Sequence, residues 1–157
     1  MEEKSIETMA AELADLTCEL GHTCTEKQNY FASMFNLTPA EFRCLRLFGN
    51  KTNLSVKEIC ALLGLTPGRI THIITSLEEK RFVIRKIDQT DKRNVIVQLT
   101  NTSIPFLKNL TASHIKVHEE LLAKIPAPNR ETVIYSVNEI LKAIKSWTQD
   151  EMKKAAR

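Results

Sequence analysis

The spacing of apolar residues changes period in the middle of residues 66–100, TPGRITHIITSLEEKRFVIRKIDQTDKRNVIVQLT, and that switch restricts the fold more than any other feature. Ile70, Ile73, Ile74 and Leu77 recur at helical spacing, whereas Val95, Val97 and Leu99 alternate with Asn94, Ile96 and Gln98. A helix therefore gives way to a two-stranded β-ribbon, with the change near Arg81. Between the two strand runs, Asp88-Gln89-Thr90-Asp91-Lys92-Arg93 is wholly polar, cannot enter a core and is expected at an exposed hairpin tip.

Helix starts are well marked upstream. Thr38-Pro39-Ala40-Glu41 and Ser55-Val56-Lys57-Glu58 read as capping boxes, the first with proline at N1, and Thr66-Pro67 repeats the threonine and proline start. Gly49 and Gly64 are expected to close the preceding helices. The Ser55 helix has room for about two turns before Gly64-Leu65 forces a tight turn into the Thr66 helix, which is helix-turn-helix spacing.

The flanks are helical too. Ile6, Met9, Ala10, Leu13, Leu16 and Leu20 form one stripe, and Gly21-His22-Thr23 is expected to kink this helix before Tyr30, Phe31, Met34 and Phe35 lead to its end at Asn36. After the ribbon, Thr100 to Ser103 with Pro105 begin a helix of roughly 20 residues, about 30 Å long, that ends at Pro126 and Pro128. A last helix carries Val133, Val137, Ile140, Leu141, Ile144 and Trp147 on one stripe. The fold expected is mainly α with a small β-wing, in one domain spanning 1–157. A winged helix-turn-helix at 37–100 is flanked by long helices at 1–36 and 101–157. These flanks carry more apolar stripe than one small domain can cover, so a homodimer is expected to bury the excess.

A chain of 157 residues can bury a core without disulfides or metal. The four cysteines, 18, 24, 44 and 60, contain no Cys-x-x-Cys pair, and Cys44 and Cys60 lie in apolar helical stretches. The N-terminus lacks an apolar signal core and no run of about 18 apolar residues occurs, so a cytoplasmic protein with no membrane partner is expected. Charge is uneven. Residues 1–54 hold 5 basic and 8 acidic side chains, 55–93 hold 8 and 5, and 94–157 hold 9 and 6. Arg69, Lys80, Arg81, Arg85, Lys86, Lys92 and Arg93 crowd the middle segment, as a phosphate-binding surface requires. Charge alone is equally consistent with a solvated face.

With Ile70, Ile73, Ile74 and Leu77 inward, a helical wheel turns Gly68, His72, Thr75, Ser76 and Glu79 outward, with Arg69 and Thr71 on the flanks. Hydroxyls, imidazole and guanidinium on one face can meet base edges in a major groove, and Gly68 permits close approach. Each residue alone is also compatible with plain solvation. Together they point to double-stranded DNA, read by the helix that starts at Thr66.

Residues 37–100 resemble the winged-helix core of the MarR family of bacterial and archaeal transcriptional regulators. The resemblance rests on Leu37-Thr38-Pro39-Ala40-Glu41-Phe42, on Leu77-Glu78-Glu79-Lys80-Arg81-Phe82-Val83, and above all on Asp91-Lys92-Arg93 followed by Leu99-Thr100. It implies a homodimer interlocked by its terminal helices, with the Thr66 helix of each subunit in successive major grooves of a palindromic operator. It also implies that Arg93 enters the minor groove, oriented by an ion pair with Asp91, and that the protein is a repressor. Effector pockets of the family lie between dimerisation helices and winged domain. Phe31, Phe35, Phe42, Leu107, Leu110 and His114 would line such a pocket, suited to a small amphipathic or aromatic ligand. Two positions depart from the pattern. Arg81 stands where glycine is usual, so the helix-to-strand turn is expected to differ, and His72 stands where arginine is common.

Three other functions find less support in the sequence. A winged helix serving protein–protein assembly is disfavoured by the basic tip and polar outward face. An enzyme lacks support, since no phosphate loop, nucleophile elbow or carboxylate pair is recognisable, and no cofactor is expected. A metal- or redox-responsive regulator rests on His114 with His118, one helical turn apart, or on Cys18 and Cys24. The histidines lack an identifiable third ligand, so no metal is expected, and the cysteines do not face one another.

Overall fold

The computed structural model describes residues 4–89, 91–92 and 94–155. The elements run α1 (Ile6–Met34), α2 (Pro39–Arg46), β1 (Asn53–Ser55), α3 (Val56–Leu63), α4 (Pro67–Glu79), β2 (Val83–Ile87), β3 (Val95–Leu99), α5 (Ser103–Ala123) and α6 (Arg130–Ala155). This is the mainly helical winged helix-turn-helix expected. The chain divides at Ala112 into two compact units, the first ending within α5 and the second holding the rest of α5 with α6.

The wing has three strands instead of two, in the order β1-β3-β2, all antiparallel. Leu54 pairs with Val97, and Arg85 pairs with Val97 from the other side. At three residues β1 is too short to show alternation, which is why its apolar spacing gave no warning. Helix α1 is also one continuous element, with no break at Gly21. Nothing lies within 4 Å of a Cβ built there, and the Thr25 hydroxyl donates to the Gly21 carbonyl at 2.8 Å. A lone helical glycine costs about 1 kcal/mol but removes no backbone bond.

Both capping boxes form. Thr38 accepts from the Glu41 amide and the Glu41 carboxylate accepts from the Thr38 amide, and Ser55 with Glu58 repeats the pattern. Three helices end in one motif, in which a residue at positive φ lets two amides return to open carbonyls. In α1 that residue is Asn36 (φ 54), with Leu37 N–H donating to Ala32 O; in α3 it is Gly64 (φ 64), with Leu65 N–H donating to Cys60 O. In α4 it is Arg81 (φ 61), with Phe82 N–H donating to Leu77 O. The turn at Arg81 therefore does not differ as expected: arginine adopts the glycine conformation at a cost of about 1 kcal/mol. The Thr100 hydroxyl, donating to Arg81 O at 2.9 Å, helps to hold it. Gly49, by contrast, lies beyond the end of α2, which closes at Leu47.

The core of the first unit joins Phe31 and Ala32 of α1, Phe42, Cys44 and Leu45 of α2, and Ile59 of α3. Ile70, Ile73, Ile74 and Leu77 of α4 and Val83 and Val97 of the wing belong to it, as do Phe48, Leu107 and Leu110. Burial pushes the Cys44 thiol up to about 12, helped by the nearby Glu41 charge. Glu41 is the exception to an apolar core, at 1 % exposure. Its carboxylate accepts from the Thr38 amide at 2.6 Å, the Ser76 hydroxyl at 2.5 Å and the Lys80 ammonium at 2.8 Å. Burial alone raises this carboxyl, but the bonds from Lys80, Ser76 and Thr38 outweigh it and hold the pKa below its usual value.

A depressed carboxyl stabilises the fold above its unfolded-state pKa, and that contribution is lost as pH falls through the folded-state value. Glu41→Gln should therefore cost about 2 kcal/mol at pH 7. The gap between variant and wild type should narrow as pH drops below about 4. Denaturant unfolding at both pH values checks this, and a pH-independent gap would show that Glu41 acts by packing alone.

Candidate nucleic-acid interface

Helices α3 and α4 meet across Gly64 and Leu65. Thr66 caps α4 in an extended conformation (φ −67, ψ 152), with proline directly after it. Its side chain makes no cap hydrogen bond, unlike those of Thr38 and Ser55. The hydroxyl at the positive end of the α4 dipole is thus not spent on its own helix.

Along α4 the inward set is buried as the periodicity requires, and Gly68, Arg69, Thr71, His72, Thr75 and Glu79 are exposed. Ser76 departs from the outward set. It is half-buried, and its hydroxyl donates to the Glu41 carboxylate of α2, because a helical position flanking Leu77 looks toward α2 and not into solvent. The two threonines are partly engaged. Thr71 donates to Pro67 O at 2.9 Å and Thr75 to Thr71 O at 2.9 Å.

Arg85 has partners within the chain. It sits on β2 two residues from buried Val83, and its guanidinium folds back onto α4. Nη2 donates to Thr71 O at 2.9 Å and to the Thr75 hydroxyl at 2.6 Å, while Nη1 pairs with Glu78 at 3.1 Å. Strand alternation held the signal, since residues 83 and 85 share a face. The charge cluster masks it, and no local pattern marks Glu78 as the partner of Arg85. Lys86, Asp91 and Lys92 are exposed toward the tip of the wing. The tip closes through Asn94, whose amide donates to Asp91 O at 2.8 Å and whose side chain donates to the Asp91 carboxylate at 3.2 Å. Arg93, and with it the expected pair to Asp91, lies outside the described residues.

The residues expected to line an effector pocket are largely core. Phe31, Phe42, Leu107 and Leu110 are buried, and Phe35 is half-buried. Their rings form a chain: Phe42 to Phe31 at 5.4 Å, Phe31 to Phe35 at 5.2 Å, Phe35 to Phe106 at 5.7 Å and Phe106 to Phe82 at 4.5 Å. Aromatic packing at these separations is a structural use of Phe31, Phe35 and Phe42. His114 and His118 belong to the second unit, with rings 4.5 Å apart and His118 Nδ1 at 2.7 Å from His114 O. No group of three metal-ligating side chains occurs among the described residues. Cys18 and Cys24 are exposed on α1. No helix of the described chain is long and apolar enough to cross a membrane.

A short helix, a tight turn, a second helix with an exposed polar face and an adjoining charged hairpin define a winged helix-turn-helix. Residues 37–95 match the model of the MarR family. The HTH-type transcriptional regulator MhqR of Bacillus subtilis is 31% identical over 87 residues, 55% of this chain and 60% of its own length. The chain thus spans less than two thirds of that relative. Wild-type MarR from E. coli, solved in its apo form, superposes with a TM-score of 0.70 at 21% identity, covering 90% of this chain and 99% of its own. A MarR variant from E. coli, complexed with operator DNA, gives 0.69 at 22% identity over 88% of this chain and 99% of its own. At these identities the structural likeness is one of fold.

Gly68 separates fold from function cleanly. Nothing lies within 4 Å of a Cβ built there, so the protein itself leaves room for a side chain. Gly68→Ala should raise stability by roughly 0.5 kcal/mol, and it should weaken DNA binding if α4 enters a groove at this residue. Thermal unfolding and a gel-shift titration of the same sample check both signs, and unchanged affinity would mean that α4 does not approach DNA at residue 68.

Proposed function

We propose that this protein is a sequence-specific double-stranded DNA-binding transcriptional regulator, a homodimeric repressor whose DNA binding is modulated by a small effector. The observation that carries the reading is the exposed polar face of α4, with Thr66, Gly68, Arg69 and His72 at its N-terminal half, beside a wing bearing Lys86 and Lys92. Helix N-terminus, guanidinium and ammonium groups suit phosphates, and the hydroxyl, imidazole and bare backbone suit base edges. Relatives named as HTH-type transcriptional regulators and a similar MarR fold solved with operator DNA support it.

In this reading 1–157 works as one domain. Residues 37–100 contact DNA and the flanking helices at 1–36 and 101–157 make the dimer. Helix α1 leaves Ile6, Met9, Leu13, Leu16 and Leu20 between 45% and 80% exposed, and α6 leaves Tyr135, Leu141, Ile144 and Trp147 between 48% and 66% exposed. Such stripes on isolated helices call for a partner surface. Two copies then set two α4 helices about one helical turn of DNA apart, on a palindromic target. An amphipathic or aromatic effector would reach the half-buried rings Phe35, Phe82 and Phe106 and alter the separation of the α4 helices, lowering DNA affinity by linkage.

Sedimentation equilibrium at low micromolar concentration should return about twice the chain mass of 17.9 kDa. A clean monomer would remove the paired half-sites. With a duplex selected from random sequence, Arg93→Ala should weaken specific binding by about 1 to 3 kcal/mol and reduce the salt slope by about one. Unaltered affinity and slope in a folded dimer would exclude a wing arginine from the complex, and failure to select any duplex would overturn the DNA reading.

A further inference from the structure

Strand β2 is an edge strand whose apolar packing fades quickly. Val83 is 1% exposed, but Ile84 and Ile87 are 42% and 68% exposed, and only β3 pairs with β2. A hairpin held by backbone bonds alone is marginal in water, so something must fix its direction beyond Val83. Arg85 and Glu78 supply it. One Glu78 oxygen accepts from the Arg85 backbone amide at 2.8 Å and the other pairs with Nη1 at 3.1 Å. Nη2 meanwhile spans the α4 backbone and side chain at Thr71 and Thr75.

We propose that Arg85 and Glu78 form a clamp that fixes the wing against α4, so that Arg85 is a positioning residue and not a phosphate contact. The consequence for DNA rests on the function proposed above, whereas the clamp is a property of the chain by itself. A guanidinium presents its donors in a rigid plane, which suits three acceptors spread along about two turns of one helix. An ammonium presents one mobile point and cannot reproduce that spread. The clamp joins the two elements that must meet one duplex together, the outward face of α4 and the tip carrying Lys92. It also engages the Thr75 hydroxyl, leaving the methyl group of Thr75 as the part offered to a base, which suits thymine.

Charge and positioning predict opposite signs for Glu78. Arg85→Lys, Arg85→Ala and Glu78→Gln should be compared with wild type on the selected duplex across a salt range. Hydrogen exchange of the free proteins should be measured alongside. The clamp predicts binding weakened roughly tenfold in all three variants, with the wild-type salt slope retained. Glu78→Gln should weaken it even though it removes a negative charge near DNA. It also predicts faster exchange of the β2 amides in each variant, while amides of α2 and α3 keep wild-type protection. Full affinity in Arg85→Lys, a slope lowered by about one in Arg85→Ala and tighter binding by Glu78→Gln would instead make Arg85 a phosphate contact. If wild type binds no duplex, the DNA reading fails and exchange alone decides, with unaltered β2 protection in the variants overturning the clamp.

Discussion

The buried carboxylate of Glu41 is the interaction on which the arrangement of the winged unit depends. It lies in the first turn of α2, where its capping bond to the Thr38 amide fixes the start of that helix. The same carboxylate takes the Ser76 hydroxyl and the Lys80 ammonium from α4. Lys80 also donates to Asn36 O at 2.9 Å, the residue at positive φ that ends α1. One ion therefore registers three helices at the point where they converge. A buried charge is costly unless every lone pair is used, and among the described residues no buried side-chain polar atom lacks a partner. Apolar packing of Phe42, Leu45, Ile74 and Leu77 supplies more free energy, but it tolerates sliding. A three-way hydrogen-bonded charge does not.

The polar residues of α4 divide accordingly into two sets. Ser76 and Lys80 look inward to Glu41, while Thr71, Thr75 and Glu78 engage Arg85 from β2. The helix is thereby gripped on two sides along its C-terminal half. What stays uncommitted is the N-terminal part, Thr66, Gly68, Arg69 and His72, where the helix dipole is positive and the backbone amides are open. In the proposed function these first two turns are the part of α4 free to meet DNA through polar groups, because the polar groups of the later turns hold the helix in place.

Much of this was legible in the sequence, for physical reasons that differ by element. The inward face of α4 was certain because four apolar residues at helical spacing have one way to be buried. The capping boxes at Thr38 and Ser55 were certain because donor and acceptor lie three residues apart in the chain. The partners of Ser76 and Arg85 are not legible locally because they are distant: Ser76 bonds 35 residues away and Arg85 contacts α4 at 10 and 14 residues' separation. A helical wheel ranks Ser76 as polar and outward, and only the presence of a buried carboxylate on α2 reverses that. The Arg81 turn was misjudged from propensity alone. A cost of about 1 kcal/mol is easily met where two returning amides and the Thr100 hydroxyl hold the conformation. The fold constrains backbone shape there more strongly than it constrains the residue.

The long helices carry information of another kind. On α1 the exposed residues Ile6, Met9, Leu13, Leu16 and Leu20 are separated by three, four, three and four positions, an alternation that keeps one narrow seam straight along a helix. On α6, Val133, Val137, Ile140, Ile144 and Trp147 step by four, three, four and three. A seam of that spacing is complementary to another helix crossing at a shallow angle. It is poorly matched to the flat face of a sheet or to a compact ligand, because side chains at these steps interdigitate as knobs into a facing helical row. Burying a leucine-sized side chain contributes roughly 1.5 to 3 kcal/mol, so even half-buried seams of five residues amount to several kcal/mol in favour of helical partners. In the proposed dimer, the same seams that cover this surface fix how far apart two α4 helices stand. Under the proposed function, a ligand that changed the packing of the aromatic chain from Phe42 to Phe82 would act on DNA through that distance, without touching α4 itself.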